Sequence, residues 1–165
     1  LAPPLMALGA RIAIAGMSGV RWLPLEQFFA GPEQDVRREN VLAADEVLTA
    51  VILPPARPGW LGTYLKARER TAGDFPVVSV AVGYTLEAGV IRHARLILGG
   101  VAPVPWRSSA AEAVLEAQRP SPELAASAAT AALEPAQPLT YNAFKIDIGR
   151  ALVERGIMAV AALQR

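Results

Sequence analysis

The sequence predicts an α+β fold, in which a small antiparallel sheet of about three to four strands carries helices on one face. The strand-like segments all precede residue 100, whereas the long helix-like segments follow residue 108. Strands and helices that are segregated in this way are typical of α+β domains. A hairpin pattern at 77–98 also favours antiparallel pairing, because a short turn there joins two apolar runs.

The first predicted strands form a hairpin. Residues 11–15 alternate isoleucine with small or polar side chains, and the turn sequence at 16–19 leads into Val-Arg-Trp-Leu at 20–23, which gives a strand–turn–strand pattern. Residues 25–29 are aromatic and are soon followed by a Gly-Pro pair, so they predict one or two helical turns. A polar, charged loop is expected at 33–44.

The central strands are predicted at 46–53 and 77–86. The first is rich in β-branched residues and is stopped by two prolines. The second places side chains alternately on two faces. One face carries Val78, Val80, Val82, Tyr84 and Leu86, and the other carries Val77, Ser79, Ala81, Gly83 and Thr85. Because small side chains let helices approach closely, we expect the helices to pack on the second face.

Two glycine-containing turns bound the strand that follows. Glu87-Ala88-Gly89 predicts a three-residue hairpin loop that returns the chain along 90–98. Gly99-Gly100 precedes Val-Ala-Pro and not a helix start, so it predicts a tight turn and not a phosphate-binding loop.

Three helices are predicted in the last part of the chain. Ser109 and Glu112 form a capping-box pattern that opens a helix to Gln118. A second helix spans 121–133, with proline at its first helical position. Asn142 is expected to cap a long third helix, in which apolar residues recur at helical spacing.

Composition excludes several classes of protein. At 165 residues and 53% hydrophobic content, the chain can bury one substantial core. A net charge of +1 argues against a nucleic-acid partner. Without cysteine there is no disulfide and no thiolate-bound iron–sulfur cluster, and the single histidine, His93, leaves no pair for zinc and is expected at the surface.

The N-terminal residues 1–16 are apolar but lack the basic leader of a signal peptide, and they are too short for a membrane span. We expect a cytoplasmic location. The chain begins without Met and enters directly a segment typical of the middle of a fold. We therefore expect a fragment or a processed piece of a longer protein.

The most informative segment is 62–76, which runs into the strand at 77–86. It contains Tyr-x-Lys, an arginine four residues after the lysine, and then Gly-Asp. Together with the segments 24–32, 45–54 and 99–105, in this order and spacing, it resembles the flavin subunit of molybdenum hydroxylases, the xanthine dehydrogenase and carbon monoxide dehydrogenase medium-subunit family. The resemblance covers nearly the whole chain.

The resemblance implies two parts. Residues 1–32 would be the C-terminal end of the FAD-binding domain and its link, and residues 33–165 would be the α+β domain found at the C-terminus of the carbon monoxide dehydrogenase flavoprotein. The family's glycine-rich pyrophosphate-binding loops would lie upstream of Leu1. FAD would therefore be shared with an upstream domain, and this chain alone is not expected to hold it tightly.

The function implied by the resemblance is electron relay in a multi-subunit oxidoreductase. A molybdenum-cofactor subunit would oxidise the substrate, [2Fe-2S] clusters in an iron–sulfur subunit would carry electrons, and FAD would pass them to NAD⁺, a quinone or oxygen. The expected partners are the FAD-binding N-terminal portion, the iron–sulfur subunit and the molybdopterin subunit. The alternative is a non-catalytic docking module that keeps the fold without flavin.

Three residues are expected at the flavin by the same resemblance. Leu48 would contact FAD while also serving in the core. Lys66 would lie at the isoalloxazine edge, where an ammonium stabilises negative charge on the ring; the alternative is an ordinary solvated lysine. Asp74 would lie near the flavin, or would pair instead with Arg68 or Arg70.

Overall fold

Two antiparallel sheets organise the computed structural model, which describes residues 1–70 and 73–163. The elements in order are α1 (Ala2–Ala7), β1 (Arg11–Gly16), β2 (Gly19–Pro24), β3 (Val47–Ile52), β4 (Leu61–Ala67), β5 (Val78–Glu87), β6 (Val90–Gly99), β7 (Trp106–Arg107), α2 (Ser109–Leu115), α3 (Pro122–Leu133) and α4 (Phe144–Leu163). The predicted α+β class is confirmed. Within the described residues, every helix is too short or too polar to cross a membrane.

The first sheet has the strand order β2-β1-β3. The predicted hairpin is confirmed, with Ile12 opposite Leu23, and a short 3₁₀ turn follows at Leu25–Gln27. β3 pairs with the other edge of β1, across a bulge between Ala13 and Ile14. The division after residue 32 stays a prediction; the first sheet itself extends beyond that point, to Ile52.

An ion pair closes the first sheet against the loop that precedes β3. The guanidinium of Arg21 donates to both carboxylate oxygens of Glu46, at 2.7 and 2.8 Å. The backbone N–H of Ala43 also donates to Glu46, at 2.8 Å. These hydrogen bonds, that from Arg21 first, lower the pKa of Glu46 to about 2.

Replacing Arg21 with glutamine is therefore expected to raise the pKa of Glu46 toward its ordinary value of 4.5. Because the folded-state pKa is lowered, this pair stabilises the fold above pH 4.5 and loses its effect as the pH falls toward 2. NMR titration of the Glu46 carboxyl carbon in both proteins measures the shift. Equal pKa values of Glu46 in the two proteins would show that the contact with Arg21 does not stabilise the ionised carboxylate.

The second sheet has the order β4-β5-β6-β7 and contains the predicted 77–98 hairpin. Its turn is shorter than expected, because Glu87 pairs directly with Val90 and only Ala88 and Gly89 connect them. Both residues have positive φ, 51° and 79°. Two consecutive left-handed residues form the tight two-residue turn that matches strand twist, and Ala88 accepts this conformation where a glycine would be favoured.

The C-terminal helices cover the face of the second sheet opposite to the predicted one, with α4 against β4 and β5, α2 against β6, and α3 against the other two helices. The buried core beneath them contains Val78, Val80, Val82 and Tyr84, the large side chains of the strand. The expectation of helices on the small face is wrong. The valine row has the larger apolar area, and burying that area beneath the helices stabilises the fold more. The Tyr84 hydroxyl donates to the carbonyl of Ile157 at 2.8 Å, which ties the sheet to α4.

The helix termini differ in detail from the sequence prediction. Ser108, and not Ser109, caps α2 by accepting from the backbone N–H of Ala111 at 3.2 Å. The predicted capping box is wrong because Glu112 turns toward the second sheet. α2 also ends at Leu115, before the expected Gln118. The following two helices begin close to their predicted positions.

Candidate functional site

The small face of β5 forms cross-strand rows with its neighbours. Residues that pair directly in antiparallel strands point to the same side of the sheet. The rows on this face are Lys66–Ser79–Gly99, Tyr64–Ala81–Ile97 and Gly62–Gly83–Arg95. α1, Trp60 and the first sheet cover the middle of the face. A cleft is left at each end.

The cleft at the Lys66 row has a volume of about 640 Å³ and is here called the Lys66 cleft. Its lining includes Pro3, Lys66, Asp74, Phe75, Ser79, Gly99 and Gly100. Sequence segments separated by many residues thus converge at one place: the start of α1, the end of β4, the loop before β5 and the turn after β6. The structure brings the predicted residues Lys66 and Asp74 together here.

Lys66 is exposed at the side of the cleft, and its ammonium lies 5.7 Å from the centre of the Tyr64 ring. This cation–π contact restrains the lysine side chain. Asp74 is half-buried. In the described parts of the chain, no ion pair joins Asp74 to Arg68 or Arg70.

Leu48 lies elsewhere. It sits on β3 opposite Ile14 and packs half-buried against the apolar cluster between the two sheets. Tyr64, which lines the Lys66 cleft, packs against the same cluster. Leu48 itself does not line that cleft. The structure therefore supports the expected core role of Leu48 and does not bring it together with Lys66.

Two further lining residues were not singled out from the sequence. Ser79 is only 1% exposed, and its hydroxyl has no hydrogen-bond partner within the described residues. Phe75 is 90% exposed at the side of the cleft. The pairing of Ser79 with Lys66 was the signal that could have identified it, but strand register cannot be read from one sequence.

The wall formed by Gly100 is held from the far end of the chain. Gly100 has φ of 77°, and a Cβ there would lie 2.7 Å from the carbonyl oxygen of Val77. Only glycine fits this tight turn, as predicted. The ammonium of Lys145, at the start of α4, donates to the carbonyl of Gly100 at 3.0 Å.

Comparison with known proteins identifies the type of domain to which this cleft belongs. Residues 63–160, more than half of the chain, match the family described as the CO dehydrogenase flavoprotein C-terminal domain. The chain belongs to this family. Residues 1–56 match the FAD binding domain in molybdopterin dehydrogenase. The flavoprotein family suggested by the sequence is therefore confirmed.

Relatives of this flavoprotein chain include medium subunits of several oxidoreductases. It is 28% identical to the carbon monoxide dehydrogenase medium chain of Hydrogenophaga pseudoflava over 161 residues, covering 95% of this chain and 54% of the relative. It is 31% identical to the nicotine 6-hydroxylase medium subunit of Paenarthrobacter nicotinovorans over 128 residues, covering 77% and 42%. The chain thus spans about half the length of these relatives.

Solved structures show the same fold. Carbon monoxide dehydrogenase from Hydrogenophaga pseudoflava superposes with a TM-score of 0.88 at 27% identity, over 98% of this chain and 55% of that chain. Quinoline 2-oxidoreductase from Pseudomonas putida 86 superposes with a TM-score of 0.84 at 27% identity, over 98% and 56%. The flavoprotein architecture is therefore retained across the described residues.

The second cleft of the flavoprotein chain, about 1080 Å³, is larger and lies at the other end of the small face. We call it the Arg57 cleft. Its charged lining comprises Arg57, Arg95, Arg107, Glu112 and Glu116, together with His93. His93 is exposed, as predicted, and its Nε2 lies 3.2 Å from a guanidinium nitrogen of Arg57, which donates to it.

Most charges of the Arg57 cleft are already paired. Arg107 donates to Glu112 at 2.8 Å and forms a second ion pair with Glu26 at 3.2 Å. Glu112 also accepts from the backbone N–H of Leu96 at 3.1 Å. Burial raises the pKa of Glu112, with Arg107 opposing that effect. This network holds β6, β7 and α2 together. Its charges are therefore accounted for by a role in stabilising the fold, and they do not by themselves indicate a binding site.

Proposed function

We propose that this chain is the flavin-ring half of the FAD subunit in a molybdenum-cofactor, iron–sulfur oxidoreductase. The observation that carries the proposal is the Lys66 cleft, where a cation, a carboxylate and a buried hydroxyl that no described residue bonds meet in a flavoprotein domain. The Lys66 cleft would hold part of an FAD molecule that is shared with an upstream FAD-binding portion.

The residues of the Lys66 cleft fit the chemistry of a flavin ring. Binding sites for small molecules and cofactors are concave, mostly apolar and carry a few directed polar groups. Phe75 and the prolines of the lining provide apolar surface, while Lys66, Asp74 and Ser79 provide the polar groups. Ser79 in particular has a hydrogen-bonding capacity that no described residue uses.

FAD, when bound, would accept electrons from iron–sulfur clusters and deliver them to an external acceptor. Lys66 would place a positive charge near one edge of the ring, and Tyr64 would restrain that charge through the cation–π contact. Asp74 would accept hydrogen bonds from the other side. Leu48 would act on the flavin from β3, outside the Lys66 cleft, as part of the apolar cluster between the sheets.

The proposed partners are the upstream FAD-binding portion, an iron–sulfur subunit and a molybdopterin subunit. The support is that relatives are named as medium chains or medium subunits of oxidoreductases. A cytoplasmic location is part of the same proposal. The [2Fe-2S] clusters would reside in a partner subunit, because this chain has no cysteine to bind them, and the family resemblance implies that the molybdenum cofactor lies in another subunit.

The test is to purify the protein with its companions, record a visible spectrum and identify the companions by mass. Because [2Fe-2S] clusters absorb in the same region, the flavin is released by denaturation before its spectrum is read. Released flavin that absorbs near 450 nm, about where oxidised flavin absorbs, together with molybdenum and iron–sulfur subunits supports the proposal. The same subunits without releasable flavin support a docking module, and a chain with neither flavin nor companions leaves neither function supported.

Replacing Lys66 with methionine is expected to lower the reduction potential of the bound flavin by about 30 mV, which corresponds to ~1.4 kcal/mol for two electrons. The variant removes a positive charge that stabilises the more negative, reduced ring. A dye-coupled potentiometric titration measures the change. Lys66→Arg keeps the charge and serves as the control, with a much smaller shift; equal potentials in all three proteins would exclude this role for Lys66.

A further inference from the structure

Ser79 is the buried polar group that the fold leaves unexplained. It lies in the central strand β5, on the floor of the Lys66 cleft, and is 1% exposed. Its hydroxyl has no hydrogen-bond partner within residues 1–70 and 73–163. An unpaired buried hydroxyl destabilises a folded protein, and such groups are uncommon unless a ligand, water or function accounts for them.

The surroundings explain why no neighbouring side chain satisfies this hydroxyl. On one side of its row lies Lys66, whose ammonium lies over the Tyr64 ring and, being a donor only, offers no acceptor for the Ser79 O–H. On the other side lies Gly99, which has no side chain. A Cβ at Gly99 would be 2.6 Å from Ser79 Oγ and 3.0 Å from Pro3 Cγ, so the hydroxyl occupies the space that a side chain at 99 would need.

Alanine is compatible with this face of the strand, since Ala81 occupies the next inward position on β5 and is buried without a polar group. Packing alone therefore does not require a hydroxyl at 79. The row presents two donors, the ammonium of Lys66 and the hydroxyl of Ser79, toward one cleft. Two donors match a ligand edge that carries carbonyl oxygens or unprotonated ring nitrogens.

We propose that Ser79 is a ligand-binding residue, whose hydroxyl donates a hydrogen bond to an acceptor atom of the flavin ring in the Lys66 cleft. This inference rests on the proposed function. Without ligand, the hydroxyl lowers the stability of the protein; with ligand, it contributes to affinity and to the orientation of the ring beside Lys66. Ser79→Ala therefore has opposite effects on the stability of the ligand-free protein and on binding.

The experiment uses the purified flavin-containing assembly, from which FAD is removed and then titrated back. In the absence of FAD, Ser79→Ala is expected to melt about 2–4 °C higher than the unmodified protein. Its dissociation constant for FAD is expected to rise about tenfold, the effect of one lost hydrogen bond to a ligand. Fluorescence titration with FAD gives the affinity, and calorimetry gives the melting temperature.

Ser108→Ala is the matched control, because Ser108 is also a buried serine but its hydroxyl is used by the backbone of α2. This variant is expected to melt lower and to bind FAD unchanged. Ser79→Cys, which keeps the size and a weak donor, is expected to bind FAD with intermediate affinity. It also tests the proposal if the alanine variant does not fold.

The outcomes separate the two proposals. If the unmodified assembly binds no FAD, the proposed function is wrong and this inference is wrong with it. If the unmodified assembly binds FAD and both Ser79 variants bind it equally well, the function stands and the role of Ser79 is overturned. A Ser79→Ala variant that melts lower and keeps its FAD affinity identifies a structural hydroxyl bonded to water, which also overturns the inference.

Discussion

Gly83→Ala is expected to destabilise the protein by about 3 kcal/mol, at the upper end of what overpacking a core produces. Gly83 lies on the small face of β5, directly beneath the indole ring of Trp60. A Cβ at this position would overlap the ring and would lie 2.8 Å from the carbonyl oxygen of Leu61. The backbone of β4 cannot retreat from that contact without breaking its pairing with β5.

Trp60 has little freedom to move aside. Its indole N–H donates to the carbonyl of His93 at 3.3 Å, where β6 bulges and His93 adopts a positive φ of 55°. Urea unfolding of both proteins measures the loss of stability. In a Trp60→Ala background the same glycine substitution is expected to cost less than half as much, because the ring atoms, which are the nearest to a Cβ at this position, are gone.

The Trp60→Ala background also supplies the decisive comparison. An equal loss of stability with and without the indole would show that the ring does not restrict position 83, and that the cost arises from the strand backbone. Gly16→Ala is a second control within a strand, since the nearest atom to its Cβ would be Glu46 Cγ at 3.1 Å and the next would be the carbonyl oxygen of Asp45 at 3.7 Å, an ordinary van der Waals distance. That variant is expected to change the free energy of unfolding by less than about 1 kcal/mol.

Glu112→Ala is expected to lower the free energy of unfolding by about 3 kcal/mol, the usual cost of removing one partner from a buried ion pair. Glu112 is 8% exposed and accepts hydrogen bonds from Arg107 and from the backbone of Leu96. Among the described residues, the variant leaves Glu26 as the one ion-pair partner of the Arg107 guanidinium, and it removes the acceptor of the Leu96 N–H. Urea unfolding at neutral pH measures the loss.

Glu116→Ala is the matched control, because Glu116 directly follows α2, lies one turn further along and has a side chain that is 41% exposed. Its hydrogen bonds to the backbone of His93 and Ala94 are long, at 3.3 and 3.4 Å. The expected loss is about 1 kcal/mol or less. Similar losses for the two glutamates would contradict the view that burial makes the Glu112 network the stronger one.

Most elements were predicted from the sequence, but α1, β4 and β7 were not. The elements that cover each face of the sheet were also predicted less well. Side-chain alternation correctly separated the valine row from Ser79, Ala81 and Gly83, but alternation does not tell which element covers a face. The helices pack against the valine row because this row has more apolar area to bury. The small side chains do allow a close approach to that face of β5, but it is the short helix α1, with Trp60 beside it, that packs there.

The candidate site was predictable where a resemblance supplied it. The structure brings Lys66 and Asp74 to one cleft, while Leu48 lies on the other sheet. The missing hydrogen-bond partner of Ser79 depends on strand register and on the position of Pro3, neither of which is a local property of the sequence. The capping role predicted for Glu112 was wrong because a glutamate three residues after a serine can either cap a helix or contact a distant strand, and the sequence does not distinguish the two.

The contact between Lys145 and Gly100 has a consequence for biosynthesis. The Lys66 cleft is lined by Pro3, while its Gly100 wall is tied to Lys145 at the start of α4, much later in the sequence. Contacts between residues so distant in sequence form slowly, because a long loop must close before they are made. A nascent chain whose synthesis has not yet reached α4 thus lacks the contact that supports this wall of the cleft.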